Sequence, residues 1–231
     1  MAADRTFGSG RRLSFKGMQI AIRFLLLALP LAGAASASEF SADIVSRDAS
    51  GTATGTTGRL YVSNSKVRIE TTDAAAGYFL IDGATATALF VQPRQQVFLD
   101  ARQSTRLTRI FLPVDPANPC AQWQAAARNA GVPGAGGDWH CEHAQTTSVD
   151  GAVEYTVTSP DGESTQRWIA AKLQFPVKLR APDGTTLTLE HIRLEAPTAA
   201  LFSVPAGYRK SDPQALLDRI KHSDVWVEPP K

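Results

Sequence analysis

The chain has 231 residues, a net charge of +2 and two cysteines, and 43% of its residues are hydrophobic. Residues 1–37 carry five of the basic residues and one of the acidic ones, so the rest of the chain has a net charge of −2. A weakly acidic chain without runs of Lys or Arg lacks the clustered positive charge that nucleic-acid binding requires. The composition therefore excludes a nucleic-acid-binding protein and is typical of one domain with a sizeable core.

The N-terminus predicts an export signal. An apolar run at residues 24–32 follows Arg23, and the small residues at 35–37 fit a cleavage site. The run is shorter than the roughly 20 apolar residues that a bilayer-spanning helix needs, but it fits the apolar region of a secretory signal. No cysteine follows it closely, so no lipid attachment is expected. Residues 1–37 are therefore predicted to be a signal peptide, and the mature chain is not expected to span a membrane.

Two export routes fit the first residues. The stretch "RRLSFK" at residues 11–16 is similar to a twin-arginine signal, although the apolar run begins well downstream. Alternatively, translation starts at Met18 and the chain follows the general secretory route. The second explanation is favoured because it needs no imperfect motif.

The mature chain predicts a mainly β fold. Alternating apolar and polar residues indicate strands, which four Asp-Gly pairs and other turn residues separate. A meander of neighbouring antiparallel strands this wide tends to curl. We predict about eleven strands, at residues 40–47, 58–64, 66–72, 78–82, 84–92, 96–101, 139–149, 152–159, 164–171, 175–181 and 185–195.

Two segments predict helices that cover the concave face of the curled sheet. The first begins with Asn118 as N-cap and Pro119 in the first turn, and Gly131 follows its end. The second begins with Asp212 as N-cap and places Leu216, Leu217 and Ile220 at helical spacing. The fold class is thus an unclosed antiparallel β-barrel with a few lid helices, in which residues 38–210 form the half-barrel and residues 211–231 form a C-terminal helix and tail.

The two cysteines, Cys120 and Cys141, predict a disulfide, because an even number of cysteines in an exported chain favours pairing. The alternatives are a metal site around "HCEH" at residues 140–143 and two free thiols. On a strand, however, His140 and Glu142 face away from Cys141 and His143. The four groups therefore cannot converge on one ion without a bulge, and no metal is expected.

No catalytic residue is predicted. The chain lacks the G-x-S-x-G, H-E-x-x-H, P-loop and G-x-G-x-x-G motifs. Asp82, Asp150, Asp161 and Asp183 are explained by turn chemistry. Neither enzymatic activity nor a cofactor is expected.

The most informative side chains are apolar and spread over most strands. They are expected mainly to build a core, but a wide curled sheet with two helices can leave its concave face partly unfilled. Such a cavity suits an acyl chain or another apolar ligand. In the hairpin at residues 168–195, Trp168, Leu179, Leu187 and Leu189 are expected to face inward, with a change of face allowed at Pro176. The predicted cavity-lining residues are Tyr61, Ile69, Phe79, Phe90, Phe98, Trp168, Leu179 and Leu189.

Four stretches of the chain resemble one family. They are "FSADIV", "GRLYVSNSKVRIE", "WIAAKLQFPVKLRAPDG" and "LFSVPAGYRK", and in this order they resemble the LolA-like superfamily of bacterial periplasmic proteins, in particular its outer-membrane lipoprotein-sorting-like members. The resemblance covers roughly residues 40–210. It implies an unclosed barrel of about eleven strands with helices over a hydrophobic cavity, and a periplasmic location in a Gram-negative envelope.

The resemblance also implies a class of ligand. The family's cavity holds acyl chains of lipoproteins or other amphiphiles, so a lipid or lipidated protein is the expected ligand. Trp168, Phe175 and Pro176 match framework positions, whereas the helix with Cys120 and the segment after Lys210 match nothing in the family. The residues that match the family's closing motif are Leu201, Phe202, Pro205, Gly207 and Tyr208. A monomeric binding protein is therefore predicted. The alternatives are an interaction or sensor protein that docks an envelope protein through the sheet or the Cys120–Cys141 region, and an enzyme whose groups only the fold brings together.

Overall fold

The structure is a computed structural model that describes residues 38–72, 76–101, 107–147 and 151–212. The predicted signal peptide lies outside the described residues, as does the predicted C-terminal helix beyond Asp212. The described part contains twelve strands, eleven of which correspond to the predicted ones. They are β1 Glu39–Arg47, β2 Ala53–Ser63, β3 Lys66–Thr71, β4 Tyr78–Asp82, β5 Thr87–Gln92, β6 Val97–Asp100, β7 His140–Thr147, β8 Ala152–Thr158, β9 Ser164–Ala170, β10 Phe175–Arg180, β11 Thr186–Arg193 and β12 Arg209–Lys210.

All twelve strands form one sheet in the order β12-β6-β5-β4-β3-β2-β1-β11-β10-β9-β8-β7. It consists of two antiparallel meanders, β1 to β6 and β7 to β11, which the pairing of β1 with β11 joins. The sheet curls but does not close, since β7 and β12 lie at opposite edges. The predicted fold class, an unclosed β-barrel, is confirmed.

The two α-helices of the described residues follow β6 and precede β7 in the chain, so they connect the two meanders. The described ones are α1, Leu107–Ile110, and α2, Pro119–Asn129, with short 3-10 turns at Pro93–Gln95 and Ala199–Phe202. We call residues 107–139 the lid segment. Its helix α2 packs across the inner face of the sheet, as predicted for the first helix.

The Asp-Gly turns form for the predicted reason in most places. In the Pro-Asp-Gly turns, Gly162 and Gly184 have φ of +82° and +83°, values that glycine adopts without steric strain. Asp183 Oδ1 accepts a hydrogen bond from the Thr185 amide at 2.9 Å. The β4–β5 turn differs, because Ala86 rather than its glycine has a positive φ, of +53°.

The inner face of the sheet carries the main core. On this face Leu60 of β2 lies opposite Ala42 of β1 and Ile69 of β3. Phe175 meets the edge of the Phe40 ring at a centroid distance of 5.2 Å, and Phe111 of the lid segment stacks on it at 6.5 Å. The largest fully buried side chains of this core are Phe40, Ile44, Leu60, Val62, Val67, Ile69, Phe111 and Phe175.

The outer face of β3 to β6 has a second cover, which we call the strap, residues 199–210. It crosses a separate apolar cluster and ends as β12, parallel to β6. Arg68 fastens its start, because the guanidinium lies 3.5 Å from the centre of the Tyr78 ring, pairs with Glu70 at 2.8 Å and donates to the Leu201 carbonyl at 3.1 Å. Val204 and Tyr208 of the strap pack against this cluster, which on the sheet consists of Tyr78, Leu80, Leu89, Val91 and Phe98.

Candidate functional site: two clefts beside the lid helix

Helix α2 positions the site, and its ends are well defined. Pro119 opens the first turn after Asn118, whose side chain occupies the predicted N-cap without making a capping hydrogen bond. At the other end Gly131 has a φ of +68°, and the Val132 amide donates to the Ala127 carbonyl at 3.0 Å. This is the hydrogen-bond pattern of a Schellman motif, which satisfies the last carbonyls of the helix.

A disulfide ties the first turn of α2 to the sheet. Cys120 of α2 and Cys141 of the edge strand β7 are bonded, with Cα atoms 5.8 Å apart. The predicted pairing is therefore present. Within the part of the chain that the structure describes, no group of three or more His, Cys, Asp or Glu side chains could hold a metal ion.

Trp123 is the side chain through which α2 contacts the inner face. It is 2% exposed and packs with Val114, Tyr155, Val157 and Ile169 in an apolar cluster. Its ring meets the edge of Tyr155 at 6.1 Å, and the Arg167 guanidinium lies 4.5 Å from its centre. One large aromatic residue thus packs the helix against β8 and β9.

Cleft one lies between α2 and the turn that joins β4 to β5. It has a volume of about 190 Å³, is partly open to solvent and is lined mostly by apolar surface. The polar and charged residues in its lining are Asp82, Thr87, Arg109, Gln122 and Asn129, but most of the lining surface is apolar. The apolar lining residues are Ile81, Ala86, Ala88, Leu112, Pro113, Val114, Trp123, Ala125, Ala126 and Ala130.

Cleft two lies on the other side of Trp123, between α2 and β8 to β10. It has a volume of about 210 Å³ and a lining that is half polar. Ile110, Val157 and Leu179 contribute buried apolar side chains. The polar lining comes from Arg109, Ser159, Asp161, Glu163, Thr165 and Arg167.

Two ionisable groups beside the clefts have shifted pKa values. The hydrogen bond from the Ser159 hydroxyl, helped by the Glu163 amide, lowers the pKa of Asp161, so this carboxylate is ionised at neutral pH. Burial raises the pKa of Tyr155, and the nearby charge of Asp115 raises it further. Tyr155 is therefore a neutral donor, and its hydroxyl donates to the Pro116 carbonyl at 2.9 Å.

The structure divides the eight predicted cavity residues between the two faces. Leu179 lines cleft two, whereas four others lie on the inner face within or against the main core: Ile69, Phe79, Phe90 and Leu189. Tyr61 lies opposite Arg68 on the outer face, and Phe98 is part of the cluster under the strap. The structure therefore brings few of the predicted residues to the clefts.

Trp168 lies on the outer face as well, and a β-bulge is the reason. Pro176 pairs with Ile169, but the next pair joins Lys178 to Trp168, so Val177 is an extra residue on β10. The bulge turns Trp168 away from Leu179, and the Lys178 amine lies 4.4 Å from the Trp168 ring centre. Trp168 was expected to face inward but faces outward. The change of face that was expected to be possible at Pro176 does occur there.

Sequence reasoning missed Trp123, Arg109 and Arg167. The apolar stripe of the first helix was recognised, but no residue of it was named as part of a site. Trp123 is the one large side chain in that stripe, and this is the signal that could have identified it. For Arg109 and Arg167 there is no local signal, because only the fold brings them to Trp123.

No protein-family model matches the sequence. No curated protein matches it either. Solved structures with similar folds include an uncharacterised conserved protein from Thermus thermophilus, with 11% identity, a TM-score of 0.41 and coverage of 76% of this chain and 91% of that one. PNGF-II matches with 9% identity and a TM-score of 0.47. MucB matches with 13% identity and a TM-score of 0.39.

The latter two likenesses are also partial. PNGF-II covers 80% of this chain, which spans 33% of PNGF-II; MucB covers 73%, and this chain spans 58% of MucB. Similarity at this distance carries no inference about ligand or partner, so the case for function comes from the site itself.

None of the helices in the described ranges is long and apolar enough to cross a bilayer.

Proposed function

We propose that the protein is a non-enzymatic binding protein of the bacterial periplasm that holds the apolar part of an amphiphile in cleft one. The observation that carries the proposal is the predominantly aliphatic lining of this partly open cleft between α2 and the β4–β5 turn. Apolar pockets with a few polar groups at their margin are typical of sites for small amphiphiles. The short apolar run at residues 24–32 supports an exported protein.

The size of the cleft limits the ligand class. Pockets for drug-sized ligands have volumes of roughly 300–1,000 Å³, and cleft one has about 190 Å³. A dry apolar cavity of about 150 Å³ is enough to bind a benzene-sized molecule. Cleft one is therefore suited to one acyl chain segment or one aromatic group, and a single-chain amphiphile is the proposed ligand.

Binding of saturated fatty acids to the exported chain, purified without detergent, tests the proposal. Ala126 of α2 is half-buried and lines the cleft, so Ala126→Phe fills it and is expected to abolish binding. Ala121→Phe on the exposed side of the same helix is the matched control and is expected to bind like the unaltered protein. Absence of binding at every chain length, or equal binding by both variants, would contradict the proposal.

A second candidate is docking of another envelope protein through β7. This strand lies at one edge of the sheet and has β8 as its one strand neighbour in the described residues. An exposed edge can accept an extended segment as a further strand. A photo-crosslinker at the exposed Glu142 of β7 would capture such a partner, and the same group at Glu154 of the interior strand β8 would not. Equal capture at both positions would argue against docking at the edge.

A further inference from the structure

Trp123 stands between the two clefts. Its side chain and that of Arg109 belong to the lining of both. On α2, Ala125 and Ala126 line cleft one, whereas Ala127 lines cleft two. The two spaces are therefore adjacent compartments beside one helix, and Trp123 and Arg109 are the residues that both share.

The position of this ring depends on packing. Tyr155 contacts its face edge-on and Arg167 lies against it from the side of cleft two. The indole nitrogen is buried, and no acceptor for it is found among the residues that the structure describes. A buried donor without an acceptor is unfavourable, so turning or removing the ring breaks no hydrogen bond of the indole. Contacts with the Tyr155 ring and the Arg167 guanidinium, and no hydrogen bond of the indole in the described structure, therefore hold Trp123 in place.

The far compartment can continue the path of an apolar chain. Ile110, Val157 and Leu179 in its lining are 3%, 1% and 4% exposed, so they provide a buried apolar surface. The charged Asp161 is exposed. Without the indole ring, cleft one would open toward this apolar floor of cleft two, whose other walls carry Arg109, Glu163 and Arg167.

We propose that Trp123 sets the maximum length of the apolar chain that the protein accepts. This inference rests on the function proposed above and names the ligand class more narrowly, as amphiphiles with a short single chain. The chain enters cleft one and stops at the indole ring. Residues beyond the ring, in cleft two, do not contact it.

The experiment compares affinities for a series of fatty acids from octanoic to stearic acid, measured by calorimetry on the unaltered protein and on Trp123→Ala. The affinity of the unaltered protein is expected to rise with the length of the fatty acid for the short acids of the series and then to stop rising. The length at which it stops is the length limit. Trp123→Ala is expected to gain further, roughly tenfold for each two additional methylene groups that become buried. Trp139→Ala is the matched control, because Trp139 lines cleft two but not cleft one. It should keep the length limit of the unaltered protein.

Further variants keep the inference falsifiable. Trp123→Leu retains much of the apolar contact and replaces Trp123→Ala if that variant does not fold. Adding Ala127→Phe fills cleft two and should restore the short limit in either background. An unchanged limit in the Trp123 variants overturns the inference and leaves the proposed function standing. If the unaltered protein binds no fatty acid of any length, the proposed function itself fails.

Discussion

The lid segment and the strap each cover one face of the same sheet, but they do so differently. The strap has no covalent anchor in the described residues. Arg68, which contacts the Tyr78 ring and the Glu70 carboxylate, holds it through a hydrogen bond to the Leu201 carbonyl. The lid segment has a disulfide, yet it leaves two clefts and two buried indole nitrogens, of Trp123 and Trp139, without acceptors in the described structure. A smaller cleft of about 150 Å³ lies at the edge of the strap. The covalently anchored cover is therefore the one that leaves more unfilled space against the sheet.

Replacement of Phe111 by alanine should have the largest effect on the lid segment. Phe111 is fully buried and stacks on Phe175, so Phe111→Ala should lower the free energy of unfolding by about 3–5 kcal/mol. Phe202→Ala in the strap removes a half-buried ring and should lower it by less than half as much. Urea unfolding of the two variants measures the difference. Equal losses would show that the two covers are packed alike.

Loss of the disulfide should have the next largest effect. The cysteines are 21 residues apart, and a loop of this length corresponds to roughly 3 kcal/mol of stabilisation in the chain-entropy description. The double variant Cys120→Ser/Cys141→Ser should lose about this free energy of unfolding in urea. Reduction of the unaltered protein should reproduce the loss. An unchanged free energy would mean that packing alone holds the lid segment.

Arg68→Met should loosen the strap by a smaller amount. Methionine keeps an apolar stem over Tyr78 but removes the ion pair with Glu70 and the hydrogen bond to the Leu201 carbonyl, together worth about 1–3 kcal/mol. Amide exchange should accelerate at Arg209 and Ser211, whose amides donate to the Gln96 and Phe98 carbonyls. Exchange at β9, distant from the strap, is the internal control. Faster exchange at both places would mean general destabilisation instead.

The smallest effect is expected at Asp43, outside both covers. Burial acts to raise its pKa, but hydrogen bonds from Arg59 and His191, at 3.2 and 3.1 Å, outweigh burial and lower it below 3.8. The carboxylate therefore stabilises the fold above pH 3.8, and this contribution disappears as the pH falls through the folded-state pKa. Asp43→Asn should lose less than about 1 kcal/mol at neutral pH and nothing in strong acid. A difference that persists in acid would point to a cause other than ionisation.

The sequence predicted the strands well because their signals are local. Alternation located eleven strands, and turn residues such as Gly162 and Gly184 located the ends of several of them. The pairing of β1 with β11 had no such signal, since it joins segments from the two ends of the domain. The face of Trp168 depended on one extra residue at Val177, and an error of one residue reverses a strand's two faces.

The candidate site was less predictable than the fold. Alternation shows which residues avoid water, but it does not distinguish a filled core from a cleft. Ile69 and Leu189 were expected in a cavity and are buried in the main core, while Trp123 separates two clefts. The lid segment accounts for this difference, since its Phe111 stacks on Phe175 within the main core while the two clefts lie beside α2.

The pairing of β1 with β11 has a consequence for the order in which the sheet forms. Arg47 and Glu190, which form an ion pair across this junction, are 143 residues apart in the chain. Wherever the chain emerges with its N-terminus first, from a ribosome or from an export channel, β1 can pair with β2 but lacks its other neighbour until β11 has followed. Loop closure over such a distance slows folding, and an unpaired strand edge invites aggregation in the meantime. The sheet therefore cannot be completed until its last long strand has emerged.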